Sequence, residues 1–254
     1  MNGDYDRRIA RAETLIQKHP ESAELLGFYR GLAELQRTAF KGLQAGGKTE
    51  MRLLLAYFPA FLEWIARSGP EPLSAFANRN LRDEKELERL LRCYWDREPG
   101  MDLAQSSPAS FFARALLQPY AEFLASRGTP DIQTISNTCP FCSAPPVVGV
   151  LRPEGEGAKR SLICSLCATE WQYRRVLCPK CGEEQKDALP VYLAADLDYI
   201  RVDACDSCKT YIKSVDLTKN ALAVPIVDEL ASVSLTLWAE EHGYAKLETN
   251  ILGM

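Results

Sequence analysis

Cys139-Pro140-Phe141-Cys142, Cys164-Ser165-Leu166-Cys167, Cys178-Pro179-Lys180-Cys181 and Cys205-Asp206-Ser207-Cys208 punctuate residues 139–208, and this stretch decides how the chain is read. The gaps between the pairs hold 21, 10 and 23 residues. In a C-x-x-C step one tight turn brings two sulfurs to the same ion while its backbone N–H groups point at them, and two such turns supply a tetrahedral set. Each long gap is long enough for a β-hairpin, and the short one reads as a single strand, Glu170 to Val176. The economical grouping is consecutive: Cys139, Cys142, Cys164 and Cys167 about one ion, Cys178, Cys181, Cys205 and Cys208 about another, as an internal repeat of one module. A cross-braced grouping, first pair with third and second with fourth, is the alternative.

Four thiolates in a tetrahedron suit zinc or a single iron alike. Two iron–sulfur clusters would also consume eight cysteines, but no clustered C-x-x-C-x-x-C run is present. A four-thiolate site has no open position at which to activate water, so the ions read first as structural staples supplying on the order of 10 kcal/mol of folding free energy. The sharper reading is that they sense or carry redox state.

Upstream the period changes. Residues 1–138 contain only Cys93, expected as a buried structural thiol, and their apolar residues recur at helical steps. Leu25, Leu26, Tyr29, Leu32, Ala33 and Leu35 form one stripe, with Ser22 placed as an N-cap. Leu53 to Ile65 forms another, kinked at Pro59, and Ser68-Gly69-Pro70-Glu71-Pro72 reads as a turn. Helices follow from about Asp83 to Asp96 and from Ser107-Pro108 onward, the latter bent at Pro119. Downstream, short runs at 147–151, 160–163, 170–176, 189–193, 199–204 and 210–215 predict strands too short for a large sheet core. A last helix, about Pro225 to His242, places Val227, Leu230, Ser234, Leu237 and Trp238 on one face and stops at Gly243. The expected fold class is α+β: an all-α bundle over 1–136, a first metal module over 137–176, and a second over 177–254 that includes the C-terminal helix.

At 254 residues, 46% hydrophobic and 25% charged, the composition excludes a disordered chain. The N-terminus carries charges where a secretory signal needs an apolar run, and no segment reaches about 18 consecutive apolar residues, so a cytoplasmic protein without membrane insertion is expected. In that reducing compartment thiol pairs hold metal rather than form disulfides. Residues 1–138 carry 18 Lys+Arg against 18 Asp+Glu, whereas residues 139–254 carry 12 against 16. That acidic cysteine-rich half argues against a zinc-ribbon that binds nucleic acid. Neither G-x-S-x-G, H-E-x-x-H nor a phosphate-cradling G-x-x-x-x-G-K-[ST] occurs, and no residue is singled out as catalytic. His19 and His242 lie far from the pairs in sequence and are not expected as ligands, and Trp171 reads as a buried aromatic beside a knuckle.

The flanks of the pairs carry a resemblance. C-P-x-C, then Leu162–Trp171 (L-I-C-S-L-C-A-T-E-W), Arg175–Gly182 (R-V-L-C-P-K-C-G), Ala204–Lys213 (A-C-D-S-C-K-T-Y-I-K), Val227–Ala231 (V-D-E-L-A) and Ala239–Tyr244 (A-E-E-H-G-Y) together resemble the formate dehydrogenase accessory protein family, FdhE. The likeness covers about residues 138–250. It implies a cytoplasmic maturation factor, not an enzyme, that binds the catalytic subunit of a respiratory formate dehydrogenase, with two rubredoxin-like modules binding iron through the eight cysteines. Ser143 stands where many such knuckles carry Gly. A rubredoxin-like electron carrier is the other reading, and a homodimer is left open.

Overall fold

The computed structural model describes residues 3–98, 107–128 and 135–254. The helical period of the first half is realised as α1 (Tyr5–Lys18), α2 (Ala23–Gly46), α3 (Phe58–Ser68), α4 (Glu71–Asn80), α5 (Glu84–Asp96) and α6 (Pro108–Arg127). Capping follows the sequence where a side chain can reach. Asp83 accepts from the N–H groups of Lys85 and Glu86 at the start of α5, and Ser107 accepts from that of Ser110 at the start of α6. Ser22, expected to cap α2, instead donates its hydroxyl to the Ala231 carbonyl, 3.1 Å away in the C-terminal half. Pro59 does not kink a helix. A 3-10 helix, Met51–Tyr57, gives way to α3, and Pro59 occupies its first turn, where a missing N–H costs nothing. Pro72 plays the same part in α4, a helix lying where the Gly-Pro-Glu-Pro string predicted only a turn.

Helix α6 is the axis of the bundle, buried on nearly every face. Pro119 lies inside it, and lacking an N–H it frees the carbonyl four residues back. That carbonyl, of Ala115, is filled by Nε2 of the buried Gln36 on α2 at 2.9 Å. Gln36 also donates to Gln118 Oε1 at 2.9 Å, and Gln118 Nε2 donates to the Ser165 carbonyl within the second cysteine pair. Replacing Gln36 with leucine leaves the Ala115 carbonyl buried without a donor, and the expected loss is about 1–3 kcal/mol in urea melts.

The short runs of the second half form β1 (Pro146–Glu154), β2 (Gly157–Cys164), β3 (Glu170–Gln172), β4 (Val191–Leu193), β5 (Ile200–Cys205), β6 (Thr210–Asp216) and β7 (Ala245–Lys246). Rather than remaining separate small sheets, they join one seven-stranded sheet in the order β3-β2-β1-β6-β5-β4, with β7 on the free half of β6. Each module contributes an antiparallel trio, and a parallel seam joins them: Gly149, Val150 and Leu151 of β1 face Ser214, Val215 and Asp216 of β6. Glycine is required at 149, because a Cβ there would lie 2.1 Å from Ser214 Oγ.

The expected single C-terminal helix is two, α7 (Pro225–Ala231) and α8 (Val233–Glu241), broken at Ser232. The break turns the second half out of phase, so α8 buries Leu235, Thr236 and Ala239 and leaves Leu237 55% exposed. Its freed carbonyls are satisfied by Lys213 of β6, whose Nζ donates to the Glu229 carbonyl at 2.6 Å and the Ser232 carbonyl at 3.1 Å. Lys213 also pairs with the Glu229 carboxylate at 2.9 Å, and Lys246 of β7 closes on the same oxygen. Further buried ion pairs tie the ends of the chain together. Arg8 meets Glu122 at 2.7 Å between α1 and α6, and Arg11 of α1 meets Asp228 of α7. Asp228 additionally accepts from Tyr199 and from the Val224 N–H that begins α7. Among the described residues no helix is long and apolar enough to cross a membrane.

Candidate metal centres

The cysteine pairs sit in similar tight turns. The N–H of the first cysteine donates to the carbonyl five residues on in the first three, Cys139 to Ala144 at 2.8 Å, Cys164 to Thr169 at 3.0 Å and Cys178 to Glu183 at 2.9 Å, and in the first and third Ser143 and Gly182 donate back to the Cys139 and Cys178 carbonyls. The residue after the second cysteine then turns left-handed: Ser143 (φ 59°), Ala168 (φ 53°), Gly182 (φ 78°) and Lys209 (φ 53°) occupy this position in the four knuckles. Only one of the four is glycine, the residue that adopts such φ without steric cost. Ser143 is exposed, and Gly182 has open space around a would-be Cβ. Ser143→Gly is therefore expected to stabilise the chain by about 1 kcal/mol and Gly182→Ala to destabilise it by a similar amount, read as opposite shifts of the thermal midpoint.

The turns bring the sulfurs together in the consecutive grouping, not the cross-braced one. In the first group Cys139 Sγ lies 3.5 Å from Cys167 Sγ, and Cys142 Sγ lies 3.4 Å from Cys164 Sγ. In the second, Cys178 to Cys208 and Cys181 to Cys205 are both 3.7 Å. A disulfide would need about 2.05 Å. The edge of a tetrahedron with metal–sulfur bonds of about 2.3 Å is about 3.8 Å, so the donor set fits a four-thiolate ion. Within the first group the thiols pull apart: hydrogen bonds from the neighbouring sulfurs hold Cys139 low, while burial drives Cys164 well above its ordinary range. A divalent ion binds all four as thiolates and releases their protons.

The first cysteine of each knuckle receives backbone N–H groups. Phe141 N–H points at Cys139 Sγ (3.4 Å), Leu166 and Cys167 N–H at Cys164 Sγ (3.3 and 3.4 Å), and Lys180 N–H at Cys178 Sγ (3.4 Å). The closing cysteine of each second knuckle has a threonine two residues on: Thr169 Oγ1 lies 3.1 Å from Cys167 Sγ, and the Thr210 hydroxyl lowers Cys208, although burial works against it. These threonines were missed in the sequence, where the repeated C-x-x-C-x-T could have announced them.

The two centres differ in their surroundings. The first is packed into the core shared with the helical bundle. Cys139, Cys164 and Cys167 belong to that core, Gln118 holds the Ser165 carbonyl, and Arg97 of the bundle donates to the Cys142 carbonyl. Trp171 is buried beside it, as expected, its indole N–H bonded to the Ser136 carbonyl at 2.8 Å. In the second centre Cys178 and Cys205 are buried, but Cys208 is half-buried and Cys181 exposed. Its two knuckles are linked by Ser207 donating to Glu183 at 2.6 Å, and exposed Asp206 pairs with Lys209. Cys93 is half-exposed rather than buried, because it lies near the end of α5 with its thiol toward Glu98. His19 pairs with Glu21, and His242 stacks on Trp238; neither joins a cysteine group.

Comparison with known proteins follows the same division. Residues 138–175 match the FdhE central domain and residues 176–252 the FdhE C-terminal domain. The chain is 30% identical to a protein FdhE homolog of Aquifex aeolicus, over 96% of this chain and 94% of the relative. It is 31% identical to a protein FdhE homolog of Pseudomonas aeruginosa, over 98% of this chain and 89% of that one. The crystal structure of the FdhE protein from Pseudomonas aeruginosa shares the fold, with a TM-score of 0.72 at 23% identity over 98% of this chain and 95% of the other.

Proposed function

The chain belongs to the FdhE family, and from that premise we propose that it is an accessory factor that binds the catalytic subunit of a respiratory formate dehydrogenase in the cytoplasm during maturation, without catalysing a reaction of its own. The observation that carries this reading is the near-complete overlap with FdhE relatives, which extends through the helical half as well as the cysteine half. A small electron carrier would have no use for a bundle of this size; a client-binding protein does. The eight residues Cys139, Cys142, Cys164, Cys167, Cys178, Cys181, Cys205 and Cys208 hold two ions in this reading. Such ions supply folding free energy and, where they are iron, can pass one electron. The chain's own part is to fix four sulfurs in each set, direct backbone N–H groups at them, and bury three of the four in the first set and two in the second.

The test is a pull-down of the formate dehydrogenase catalytic subunit from cells by the tagged full-length chain. Enrichment supports the reading, and its absence from both aerobic and anaerobic extracts overturns it. Metal analysis of anaerobically purified protein, together with a visible spectrum, separates colourless zinc from coloured ferric thiolate. Fewer than two ions per chain would remove the two-centre assignment.

A further inference from the structure

Between the two cysteine groups lies a pair of buried side chains, Arg160 and Tyr173, and we propose that this pair couples the groups, so that an ion in one strengthens the hold on an ion in the other. The inference rests on the metal reading of the eight cysteines given above. Both residues belong to the first module. Arg160 lies on β2, the strand that ends at Cys164, and Tyr173 directly follows β3; the Tyr173 N–H donates to the Arg160 carbonyl at 3.0 Å. Their side chains are buried, with the guanidinium 5.6 Å from the centre of the phenol ring. Both reach into the second module. Arg160 Nη1 donates at 3.2 Å to the carbonyl of Leu177, the residue before Cys178, and Nη2 pairs at 3.2 Å with Asp203, two residues before Cys205. Strands β1 and β6 stand between β2 and β5, so this ion pair spans the seam of the sheet. Tyr173 also reaches back. Its hydroxyl donates at 2.6 Å to Asn137 Oδ1, two residues before Cys139, and lies 3.4 Å from the Cys178 carbonyl.

The chain that leads into each of the four knuckles is thus anchored on one buried pair: Asn137 ahead of Cys139, Arg160 itself ahead of Cys164, Leu177 ahead of Cys178 and Asp203 ahead of Cys205. An ion that fixes either set of sulfurs fixes the backbone from which Arg160 and Tyr173 make these bonds. The bonds then hold the knuckles of the other set close to their bound positions. The second ion has less to order than the first, which is positive coupling, and by linkage it acts equally in both directions. A guanidinium suits this role because it is always charged and offers two edges in a rigid fork, so drift of either knuckle leaves a buried charge short of a partner. A pair that only stabilised the fold would, when lost, weaken both ions alike. A coupling pair, when lost, removes the dependence of one ion on the other.

The experiment uses the full-length chain loaded with zinc. A chelator is added in steps until half the zinc is withdrawn at equilibrium, and native mass spectrometry counts the chains holding none, one or two ions. Independent and equal sites would leave about half the chains with a single ion, whereas coupling of about tenfold brings that share to about a quarter, which is the expected result. Tyr173→Phe removes one hydroxyl and keeps the ring, and is expected to raise the single-ion share toward half. Arg160→Lys keeps the charge without the fork and should act in the same direction. Asp83→Ala is the control: it removes the side-chain cap of α5 and lowers stability without touching either group, and should leave the distribution as in the parent. The wild-type share is read whether or not the variants fold. A wild-type single-ion share of half or more, a Tyr173→Phe distribution like the parent's, or an Asp83→Ala shift as large as that of Tyr173→Phe overturns the coupling while leaving the metal reading intact. A chain that takes up no zinc at the eight cysteines overturns both.

Discussion

Replacing Cys164 and Cys167 together by serine unfolds the first module and most of the bundle with it. A closed four-thiolate ion contributes on the order of 10 kcal/mol to folding, comparable to the whole net stability of about 5–15 kcal/mol expected of a domain. The damage spreads because the first centre lies within the core that the helices share, with Cys139, Cys164 and Cys167 packed among bundle residues. The matched change at Cys205 and Cys208, in the more exposed centre, should lower the thermal midpoint while leaving the helical signal largely in place. Circular dichroism of the two double variants, with metal counted in each, makes the comparison. A first-centre variant that melts like the parent would mean the ion there is dispensable.

Glu229→Gln is the next most damaging change, at about 3–5 kcal/mol, because it leaves Lys213 and Lys246 as buried charges around a neutral amide. Burial alone would raise the Glu229 carboxyl, but the two lysines overcome it and hold the group at about 2, against an ordinary value of 4.5. A depressed carboxyl contributes stability that is present in full above the unfolded value and drains away as pH falls toward 2. The folded chain should therefore lose roughly 3 kcal/mol through this group between those limits, and the Gln variant should lack that component. Lys213 has the opposite sense. Burial pushes it down to about 8 despite Glu229, so its cost is borne below pH 8 and relieved as pH rises toward its ordinary 10.5. Urea midpoints of parent and variant across pH 3–9 check both signs. Equal slopes in the acid range would show that Glu229 is not held by the lysines.

The centres were legible before the sheet was, for a physical reason. A C-x-x-C knuckle is local, with two ligands, the hydrogen bond of the turn and the left-handed closing residue all within five positions, so spacing alone specifies it. The grouping also followed from loop length. What escaped was everything set by partners distant in sequence. Nothing in β1 or β6 announces that Gly149 faces Ser214, and short strands that could not each support a sheet become one sheet only through that pairing. Lys213 sits in an apolar run like any strand lysine, and its role depends on a helix break at Ser232 that the continuous pattern from Pro225 to His242 conceals. Helix α4 was hidden differently: Pro70 and Pro72 signal a turn when read locally, yet proline is equally at home in the first turn of a helix. The resemblance of the flanks to FdhE identified the family where periodicity could not, since the bundle's aromatic core names no chemistry.

The seam between β1 and β6 also constrains the order in which the chain is made and completed. It pairs a strand made before three of the four cysteine pairs with one that exists only after the last pair, so it closes late, as pairings of high sequence separation do. Once shut, the seam makes neighbours of two repeats that translation produced in succession, and a disturbance at either one must be shared across three residue pairs with no room for a side chain at Gly149 to cushion it.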